Sequence, residues 1–294
     1  MAPTAKSPGW EVRCVGVFYH PRLPAAQELA HEFRATLLSG GIDTWVYSAW
    51  DTTVRDEDVR DRDLLISIGG DGTILRVAHL ALDSRIPVLG VNMGRLGFMN
   101  ELSAQEAREK LLCLPSQGGW FEERATLQVN VDPSQVQGAE GQSSTGPLYA
   151  LNDVVVTRGR VARVIRVEAR IDGDLFTTYK GDGVIVATAT GSTGYSMAAG
   201  GPILHPQSTD FILTPVNPQL AIRNPLVLPS TTTVELKVSS DHEVILSVDG
   251  QVARMLQDRE GISVTIGPRK ALFLRFRPQG RFYSTVTERL TRME

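Results

Sequence analysis

The sequence predicts an α/β protein in two parts: an N-terminal domain with a Rossmann-like parallel sheet, then a C-terminal β-rich domain of sandwich type. Up to about residue 100, short apolar runs alternate with helix-spaced segments, which is typical of a parallel sheet. Further along, strict apolar–polar alternation replaces that pattern and indicates antiparallel strands. The glycine-rich stretch 67–73 stands between an apolar run and a helical segment, and the chain is organised around it.

The first part is read in chain order as alternating strands and helices. Strands are predicted at 14–18, 42–47, 63–68 and 86–91, with one helix from Pro24 to Gly40-Gly41 and another at about 74–82. In such sheets, ligands bind beyond the carboxyl ends of the strands. The glycine turn that follows 63–68 lies at such an end, and the segment 92–98 leaves the next strand in the same way.

The second part begins with a short helix and then becomes β-rich. Ser103-Ala-Gln-Glu106 has the spacing of a capping box for a helix to about Leu114. Alternating strands follow, and Asp172-Gly173 predicts a hairpin turn. We therefore predict an α/β domain at 1–101, a β-rich domain at 102–275, and a C-terminal segment at 276–294 that packs back on the first domain. The stretch 132–147 has little to bury and reads as a surface loop.

The glycine turn suits a phosphate. Gly69, Gly70 and Gly72 let a ligand approach the main chain, and the following helix, predicted from about residue 74, points free N–H groups into the same space. The carboxylate of Asp71 should repel such an anion unless it holds a metal ion or takes a proton. An ordinary tight turn explains the same residues equally well when they are taken alone.

Two arginines follow the turns at this edge. Arg76 and Arg95 could meet phosphates, although an arginine on a helix surface is more often simply solvated.

A second unusual segment interrupts the β-rich part. Residues 181–206 are mostly small and include several hydroxyl side chains and glycines. With so few bulky side chains, this segment is poorly suited to forming a hydrophobic core. A wall that lines a ligand site is the better interpretation, and Asp182 and Tyr195 are its obvious polar contacts. His205, beside Pro206, fits a buried structural histidine as well as a site residue.

Composition narrows the classes of partner. The 294 residues are 42% hydrophobic and 21% charged with a net charge of −3, so nothing in the charge balance favours nucleic acid. Cys14 and Cys113 are isolated, which indicates structural thiols in a reducing compartment. No run reaches membrane-spanning length and the N-terminus lacks an apolar signal core. We expect a soluble cytoplasmic protein with no membrane partner.

Several motifs in order resemble those of the NAD kinase family. They are Gly69-Gly-Asp-Gly-Thr73, Gly94-Arg-Leu-Gly-Phe98, Leu151-Asn-Asp153, Thr190-Gly-Ser-Thr-Gly-Tyr-Ser196, Gly200-Gly-Pro202, Thr214-Pro-Val-Asn-Pro218, Pro225-Leu-Val-Leu-Pro229 and Val248-Asp-Gly-Gln251. The resemblance covers nearly the whole chain. It implies transfer of the γ-phosphoryl of ATP, with Mg²⁺, to the 2′-hydroxyl of the adenosine ribose of NAD, in a homodimer or homotetramer.

The resemblance also implies roles by motif position. Asp71 is the acid group nearest the reacting hydroxyl, and Asn152 and Asp153 hold the adenosine half. Asp182 contacts NAD, either within its own subunit or from a neighbouring one. The adenine pocket and remaining NAD contacts fall to Gly72, Thr193, Gly194, Tyr195, Ser196 and Gln251, and the ATP phosphates to Gly69, Gly70, Thr73, Arg76 and Arg95. Two departures are visible, because many members have Ala where Gly194 stands and Pro where Ala189 stands.

Two questions stay open on sequence alone: the role of Asp71 and the class of protein. Asp71 can orient the hydroxyl, accept its proton or bind Mg²⁺. The protein can be a lipid kinase of the diacylglycerol type, which shares the Gly-Gly-Asp-Gly-Thr element, although no membrane-docking segment is visible. It can also be a non-catalytic nucleotide-binding module, but such a module gains nothing from Asp71.

Overall fold

The chain forms two compact units in a computed structural model. The structure describes residues 4–5, 10–94, 97–111, 119–131, 146–159, 163–219 and 222–291, with the main chain alone at 4–5, 252–253 and 291. The α/β unit comprises Met1–Glu123 and Lys270–Glu294, and the β unit comprises Arg124–Arg269. These limits differ from the predicted 101/102 and 275/276, because two long strands, Trp120–Val131 and Gly261–Arg275, each run from one unit into the other.

The elements follow in chain order. The first are β1 (Thr4–Ala5), β2 (Cys14–Tyr19), α1 (Pro24–Ser39), β3 (Asp43–Ser48), α2 (Asp56–Val59), β4 (Leu64–Ile68), α3 (Asp71–Ala81), β5 (Val88–Asn92), β6 (Leu102–Ser103), α4 (Ala104–Leu111) and β7 (Trp120–Val131). Next come β8 (Leu148–Ala150), β9 (Asp153–Arg158), β10 (Ile165–Ile171), β11 (Asp174–Gly181), β12 (Gly183–Ala187), α5 (Tyr195–Ala198), β13 (Phe211–Val216) and β14 (Leu226–Leu228). The last are β15 (Val234–Ser239), β16 (Val244–Val248), β17 (Val252–Leu256), β18 (Gly261–Arg275) and α6 (Phe282–Thr291).

The α/β unit contains a parallel sheet in the order β5-β4-β2-β3, which confirms the predicted Rossmann-like class. Strands β4 and β5 are buried along their whole length, as expected of strands covered on both faces. Helix α1 starts at Pro24, because proline fits the first helical turn, and its apolar face packs in the core of this unit through Leu29, Phe33 and Leu37.

The β unit is a sandwich of antiparallel strands, as the alternation predicts. One sheet has the order β14-β13-β12-β9-β16-β17, and the other includes β11-β10-β15 and the first part of β18. Apolar residues from both sheets form one core, among them Val156, Val186 and Leu236. The predicted hairpin turn is present, since Asp172 and Gly173 both take positive φ angles of 52° and 88°.

Strand ends bring the candidate site residues to two edges. In the α/β unit, β4 and β5 lie side by side and parallel, so the glycine turn and the segment after β5 leave the same edge. In the β unit, Asp153 pairs with Ala187, and Val154 pairs with Val248. The segments 151–153, 188–194 and 249–251 therefore share one edge of the six-stranded sheet.

Local predictions near these edges are mostly confirmed. The capping box of α4 is present, with Ser103 N donating to Glu106 Oε2 at 2.7 Å and Glu106 N to Ser103 Oγ at 3.2 Å. Helix α3, in contrast, begins at Asp71 and not near residue 74, because an acidic residue is favoured in the first turn of a helix. Cys14 is a half-buried free thiol. Cys113 and the greater part of the predicted loop 132–147 lie outside the described residues.

No helix in the described part of the chain is long and apolar enough to cross a membrane.

Candidate functional site

The glycine turn packs against Thr73 on one side and is open on the other. Gly69 is required by packing, since a β-carbon there would lie 2.4 Å from Thr73 Oγ1. A β-carbon on Gly70 or Gly72 would meet nothing within 4 Å, and both glycines are exposed. Thr73 is buried, with its hydroxyl beneath the turn. The open side of the turn therefore belongs to Gly70 and Gly72.

The first turn of α3 offers main-chain donors on that open side. Among the described residues, the N–H groups of Asp71 and Gly72 have no hydrogen-bond partner, whereas Thr73 N donates to Gly70 O at 2.9 Å. The positive end of the helix dipole adds to these donors. The arrangement can bind a phosphate group, as the sequence predicts.

The Asp71 carboxylate is fixed by a segment that lies more than 25 residues further along the chain. Phe98 N donates to Asp71 Oδ2 at 2.7 Å, Met99 N donates to Oδ1 at 3.0 Å, and Asn100 Nδ2 donates to Oδ1 at 3.2 Å. Gly97 makes the approach feasible, because a β-carbon there would lie 2.0 Å from Asp71 Oδ1. A carboxylate has about four lone-pair positions. The described residues supply three donors, which leaves one of these positions on the half-buried Asp71 without a donor from that part of the chain.

The far side of this segment is anchored in the interior of the α/β unit. Glu101 N donates to Gly90 O at 2.9 Å, and Arg275 Nη1 donates to Met99 O at 2.9 Å. Arg275 is buried and forms an ion pair with Glu122, with Nη2 and Oε2 2.6 Å apart. Residues 99–101 are thus held rigidly, while Gly97 and Phe98 are half-buried.

Arg76 lies beside the same sheet edge. Its Nε donates to Ala49 O at 3.2 Å, and its guanidinium carbon lies 5.0 Å from the centre of the Trp50 ring. The His20 ring packs on Trp50 at a centroid distance of 4.6 Å. Arg76 is therefore oriented by the ends of β2 and β3 and is not a freely solvated surface residue. Arg95 lies outside the described residues.

In the β unit, Asp249 organises the Asn152–Asp153 motif. Its Oδ2 accepts the N–H of Leu151 at 2.7 Å, and its Oδ1 accepts the N–H groups of Asn152 at 2.7 Å and Asp153 at 2.9 Å. Asp249 is buried and takes a left-handed φ of 52°, which Asp tolerates better than most residues. A side chain of the Val248-Asp-Gly-Gln251 motif thus sets the main chain of the other motif.

The side chains of Asn152 and Asp153 are left available. Both are half-buried, and neither has a hydrogen-bond partner for its side chain within the described ranges. Burial, together with the nearby negative charge of Asp249, raises the pKa of Asp153 to about 7. These two polar groups suit a ligand rich in hydroxyl and ring-nitrogen atoms.

The 188–191 turn packs tightly on that motif. Thr188 Oγ1 donates to Leu151 O at 2.6 Å, and Thr188 N donates to Asn152 O at 2.9 Å. A β-carbon on Gly191 would lie 2.1 Å from Asn152 O, so only glycine fits. The short 3-10 helix Gly191–Thr193 follows directly. The structure therefore brings two of the predicted motifs into contact within the β unit.

The remaining residues of this segment differ in exposure. Tyr195, the first residue of α5, is 46% exposed, and Gly194 beside it is also exposed. Thr193 is half-buried and its hydroxyl donates to Thr190 O at 3.2 Å. Ser196 is buried, with its Oγ 3.0 Å from Thr214 Oγ1. Tyr195 and Gly194 are thus open to a ligand, whereas Ser196 serves the interior.

Asp182 is not brought to this edge. It precedes β12, whose five residues separate it from the Ala187 end. Its carboxylate lies 2.8 Å from Arg158 Nε and accepts a hydrogen bond from Asn217 Nδ2 at 2.9 Å.

The structure also shows where two other predicted residues lie. Gln251 is exposed at the same edge as Asn152, and its N–H donates to Val248 O at 3.1 Å. His205 Nδ1 accepts the N–H of Gln207 at 3.3 Å, away from both motifs in sequence.

Sequence reasoning missed the residues that hold the site residues in place. Asp249 and Phe98 were visible only as parts of motifs, and Met99 and Asn100 belonged to none. A carboxylate before glycine at a strand end was the available signal for Asp249. Asn217 was visible only as part of the motif Thr214-Pro-Val-Asn-Pro218, and Arg158 gave no local signal. Among the described residues, no group of three His, Cys, Asp or Glu side chains is arranged to hold a metal ion by itself.

Comparison with known proteins gives one family over both units. The family model described as the ATP-NAD kinase N-terminal domain matches residues 11–114, and the one described as the ATP-NAD kinase C-terminal domain matches residues 151–276. An NAD kinase of Dehalococcoides mccartyi strain CBDB1 is 43% identical over 276 residues, covering 94% of this chain and 95% of the relative. An NAD kinase of Chloroflexus aggregans is 37% identical, covering 95% and 98%.

Two solved structures share the fold. Yeast NADH kinase complexed with NADH aligns with a TM-score of 0.81 and 24% identity, covering 96% of this chain and 88% of that one. An NAD kinase from Archaeoglobus fulgidus in complex with ATP aligns with a TM-score of 0.73 and 23% identity, covering 95% and 98%.

Proposed function

The chain belongs to the NAD kinase family, and from that premise we propose how its residues carry out the reaction. The reaction transfers the γ-phosphoryl of ATP to the 2′-hydroxyl of the adenosine ribose of NAD and gives NADP. The matched family models and relatives favour neither a lipid kinase nor a non-catalytic module.

The open first turn of α3 is assigned to the phosphates of ATP. As far as the described residues show, the N–H groups of Asp71 and Gly72 have no acceptor and the space over Gly70 is open, which supports this role. Arg76, oriented by Trp50, supplies positive charge nearby. Gly69 and Thr73 support the turn from below and shape it. Arg95 keeps its predicted phosphate role on sequence grounds alone.

The edge of the β unit at 151–153 is assigned to the adenosine half of NAD. The side chains of Asn152 and Asp153, which have no hydrogen-bond partner in the described part of the chain, are suited to ribose hydroxyls and to the polar edge of adenine. Gly194 and the exposed ring of Tyr195 are assigned to the adenine pocket, with Thr193 and Gln251 beside them. Ser196 contributes by holding α5 against Thr214.

Asp71 is assigned to the acceptor hydroxyl. Phosphoryl transfer passes through a loose transition state, so alignment of the attacking oxygen and stabilisation of charge supply most of the rate. The bonds from Phe98 and Met99 fix the orientation of the carboxylate before substrate binds. Its remaining lone pair can orient the 2′-hydroxyl and accept its proton late in the transfer.

A magnesium ion fits this arrangement as a companion of ATP. Mg²⁺ is usually bound by one or two carboxylates together with substrate phosphates, and Asp71 retains one oxygen position for it. When bound, the ion neutralises charge on the phosphates. Asp71 thus stays assigned either to the hydroxyl proton or to the metal.

We also propose a homodimer or homotetramer in the cytoplasm. Asp182 stands at the far end of β12 from Ala187, so its predicted contact with NAD fits a neighbouring subunit better than its own. The β unit exposes Leu175, Val227 and Met255, which a subunit contact would cover. Sedimentation of the purified protein measures the assembly.

The decisive experiment compares wild type with Asp71→Asn and with Asp61→Asn, an exposed carboxylate in the same unit. Each protein is incubated with ATP, Mg²⁺ and NAD, and NADP is measured. We expect Asp71→Asn to lower turnover by about 10²-fold or more, the scale of a lost acid–base group, and Asp61→Asn to behave as wild type. Rescue by excess Mg²⁺ would assign Asp71 to the metal.

The Asp71→Asn change also places an NH₂ group opposite the main-chain donors Phe98 N and Met99 N, which can loosen the 97–100 segment. Amide exchange of this segment is therefore measured alongside turnover. Near-normal turnover in folded Asp71→Asn would reject the catalytic role. Phosphorylation of diacylglycerol without formation of NADP would reject the proposed reaction itself.

A further inference from the structure

The C-terminal helix α6 reaches the segment that fixes Asp71. The guanidinium carbon of Arg289 lies 4.4 Å from the centre of the Phe98 ring, in a cation–π contact within the α/β unit. Both side chains are half-buried. The main-chain N–H of Phe98 is the donor of the shortest bond to the Asp71 carboxylate, at 2.7 Å. Ring and amide belong to one residue, so restraint of one restrains the other.

The rest of the segment has anchors of its own. Residues 99–101 are buried and held by Gly90 and Arg275. Phe98 is half-buried and is the first of the three consecutive residues that donate to Asp71. Its bond to Oδ2 sets the direction of the carboxylate, because Met99 and Asn100 both donate to the other oxygen. The less buried end of the segment thus controls the orientation of Asp71.

We propose that Arg289 is a positioning residue for the phosphoryl-transfer site, acting through the Phe98 ring to hold the amide that orients Asp71. This inference rests on the proposed role of Asp71. Since the contact acts on the orientation of one carboxylate, its loss should lower turnover more than it weakens binding of either nucleotide.

The test uses the whole chain, four single variants and the double variant Phe98→Leu/Arg289→Gln. Arg289→Gln removes the cation and keeps much of the length, Arg289→Lys keeps a cation, and Phe98→Leu removes the aromatic face. Arg281→Ala is the matched control, because it removes one exposed positive charge just before the same helix. Three quantities are measured: hydrogen exchange of the 97–100 amides, turnover and KM for NAD and ATP, and melting temperature.

We expect Arg289→Gln to lower kcat by about three- to tenfold, the scale of one cation–π contact, with both KM values changed less than about twofold. Amide protection at 97–100 should fall in the same variant. Arg289→Lys should recover most of both properties, and Arg281→Ala should match wild type. In the Phe98→Leu background, Arg289→Gln should add little further loss.

The outcomes separate this inference from the proposed function. Amide exchange needs no turnover, so it tests the link between Arg289 and the segment even if Asp71 proves not to be catalytic. Unchanged protection in Arg289→Gln overturns the inference, and so does unchanged kcat when protection falls. An equal loss in Arg281→Ala also overturns it, since general charge would then be the cause. The proposed function stands or falls separately with Asp71→Asn.

Discussion

The carboxylate of Asp249 and the main-chain N–H of Asn152 are joined by a 2.7 Å hydrogen bond, one of three that Asp249 accepts from consecutive residues. The bond links two motifs nearly a hundred residues apart. It means that the position of the Asn152 side chain, which is assigned to NAD, depends on the buried carboxylate of Asp249.

Asp249→Asn tests this dependence. Asn keeps the shape and tolerates the left-handed φ, but it turns one acceptor into an NH₂ group that faces main-chain donors. We expect the free energy of unfolding to fall by about 2–3 kcal/mol, the scale of lost bonds to a charged group, and KM for NAD to rise about tenfold or more. Asp241→Asn, an exposed carboxylate of the same unit, is the control. Unaltered NAD affinity would remove Asp249 from the site.

The raised pKa of Asp153 predicts a pH-dependent stability. Its folded-state pKa, about 7, lies above the ordinary value of 3.8, so the folded protein holds this proton more tightly than the unfolded chain. The contribution of Asp153 to stability therefore declines as pH rises from about 4 to 7. Asp153→Asn removes the penalty, and we expect a larger gain in melting temperature at pH 8 than at pH 5.

The measurement is thermal unfolding of wild type and variant at both pH values without nucleotide. Asp174→Asn, an exposed carboxylate of the same unit, should show no such difference. An equal gain at both pH values would mean that the charge of Asp153 is not the cause.

The sheets could be predicted from the sequence because their signals are local. The apolar run 64–66 gives β4, a strand buried throughout, and alternation at 165–171 gives β10 on the sandwich core. The capping box of α4 is likewise set by residues three apart. Each of these elements is set by neighbours in the chain, so period and spacing report it directly.

The geometry of the site could not be predicted, because it depends on strand register. Asp71 and Phe98 are 27 positions apart in the chain. They meet because β4 and β5 are adjacent, parallel strands that end at the same edge. Asp249 meets Asn152 because β16 and β9 pair at Val248 and Val154. Motif order predicted which residues belong to the candidate site. It gave no information about which side chain supports which main chain.

Asn152→Ala should separate binding from stability. The Asn152 side chain has no hydrogen-bond partner among the described residues, so its removal should change the melting temperature little. If it binds the adenosine half, NAD affinity should weaken by about 1–3 kcal/mol, with the ATP constant almost unchanged. Titration calorimetry and thermal unfolding on one preparation give both quantities. A fall in stability with normal NAD affinity would make Asn152 a purely structural residue.

Gly97→Ala should disable the Asp71 clamp. The new β-carbon would lie 2.0 Å from Asp71 Oδ1 and 2.7 Å from Asn100 Nδ2, so the carboxylate must move. We expect turnover to fall by about 10²-fold or more, as for loss of an oriented acid–base group. Gly94→Ala is the control, because a β-carbon there meets nothing within 4 Å. Equal activities of the two variants would show that the orientation of Asp71 does not limit the rate.

Gly72→Ala should separate the needs of the fold from those of the ligand. A β-carbon at this position meets nothing within 4 Å, and alanine is favoured over glycine in a helix by up to about 1 kcal/mol. The free energy of unfolding should therefore stay constant or rise. If the open space above the turn receives ATP phosphates, the added methyl group should raise KM for ATP by about tenfold or more, because it blocks close approach to the main chain.

Gly280→Ala is the control for this change, since its β-carbon also meets nothing within 4 Å and it lies in the 3-10 helix Gln279–Arg281 of the same unit. We expect it to leave KM for ATP and turnover unchanged. Chemical denaturation gives the stability of each variant, and initial rates at varied ATP give KM. A Gly72→Ala protein that is as stable as wild type and binds ATP normally would mean that the phosphates do not lie over this turn.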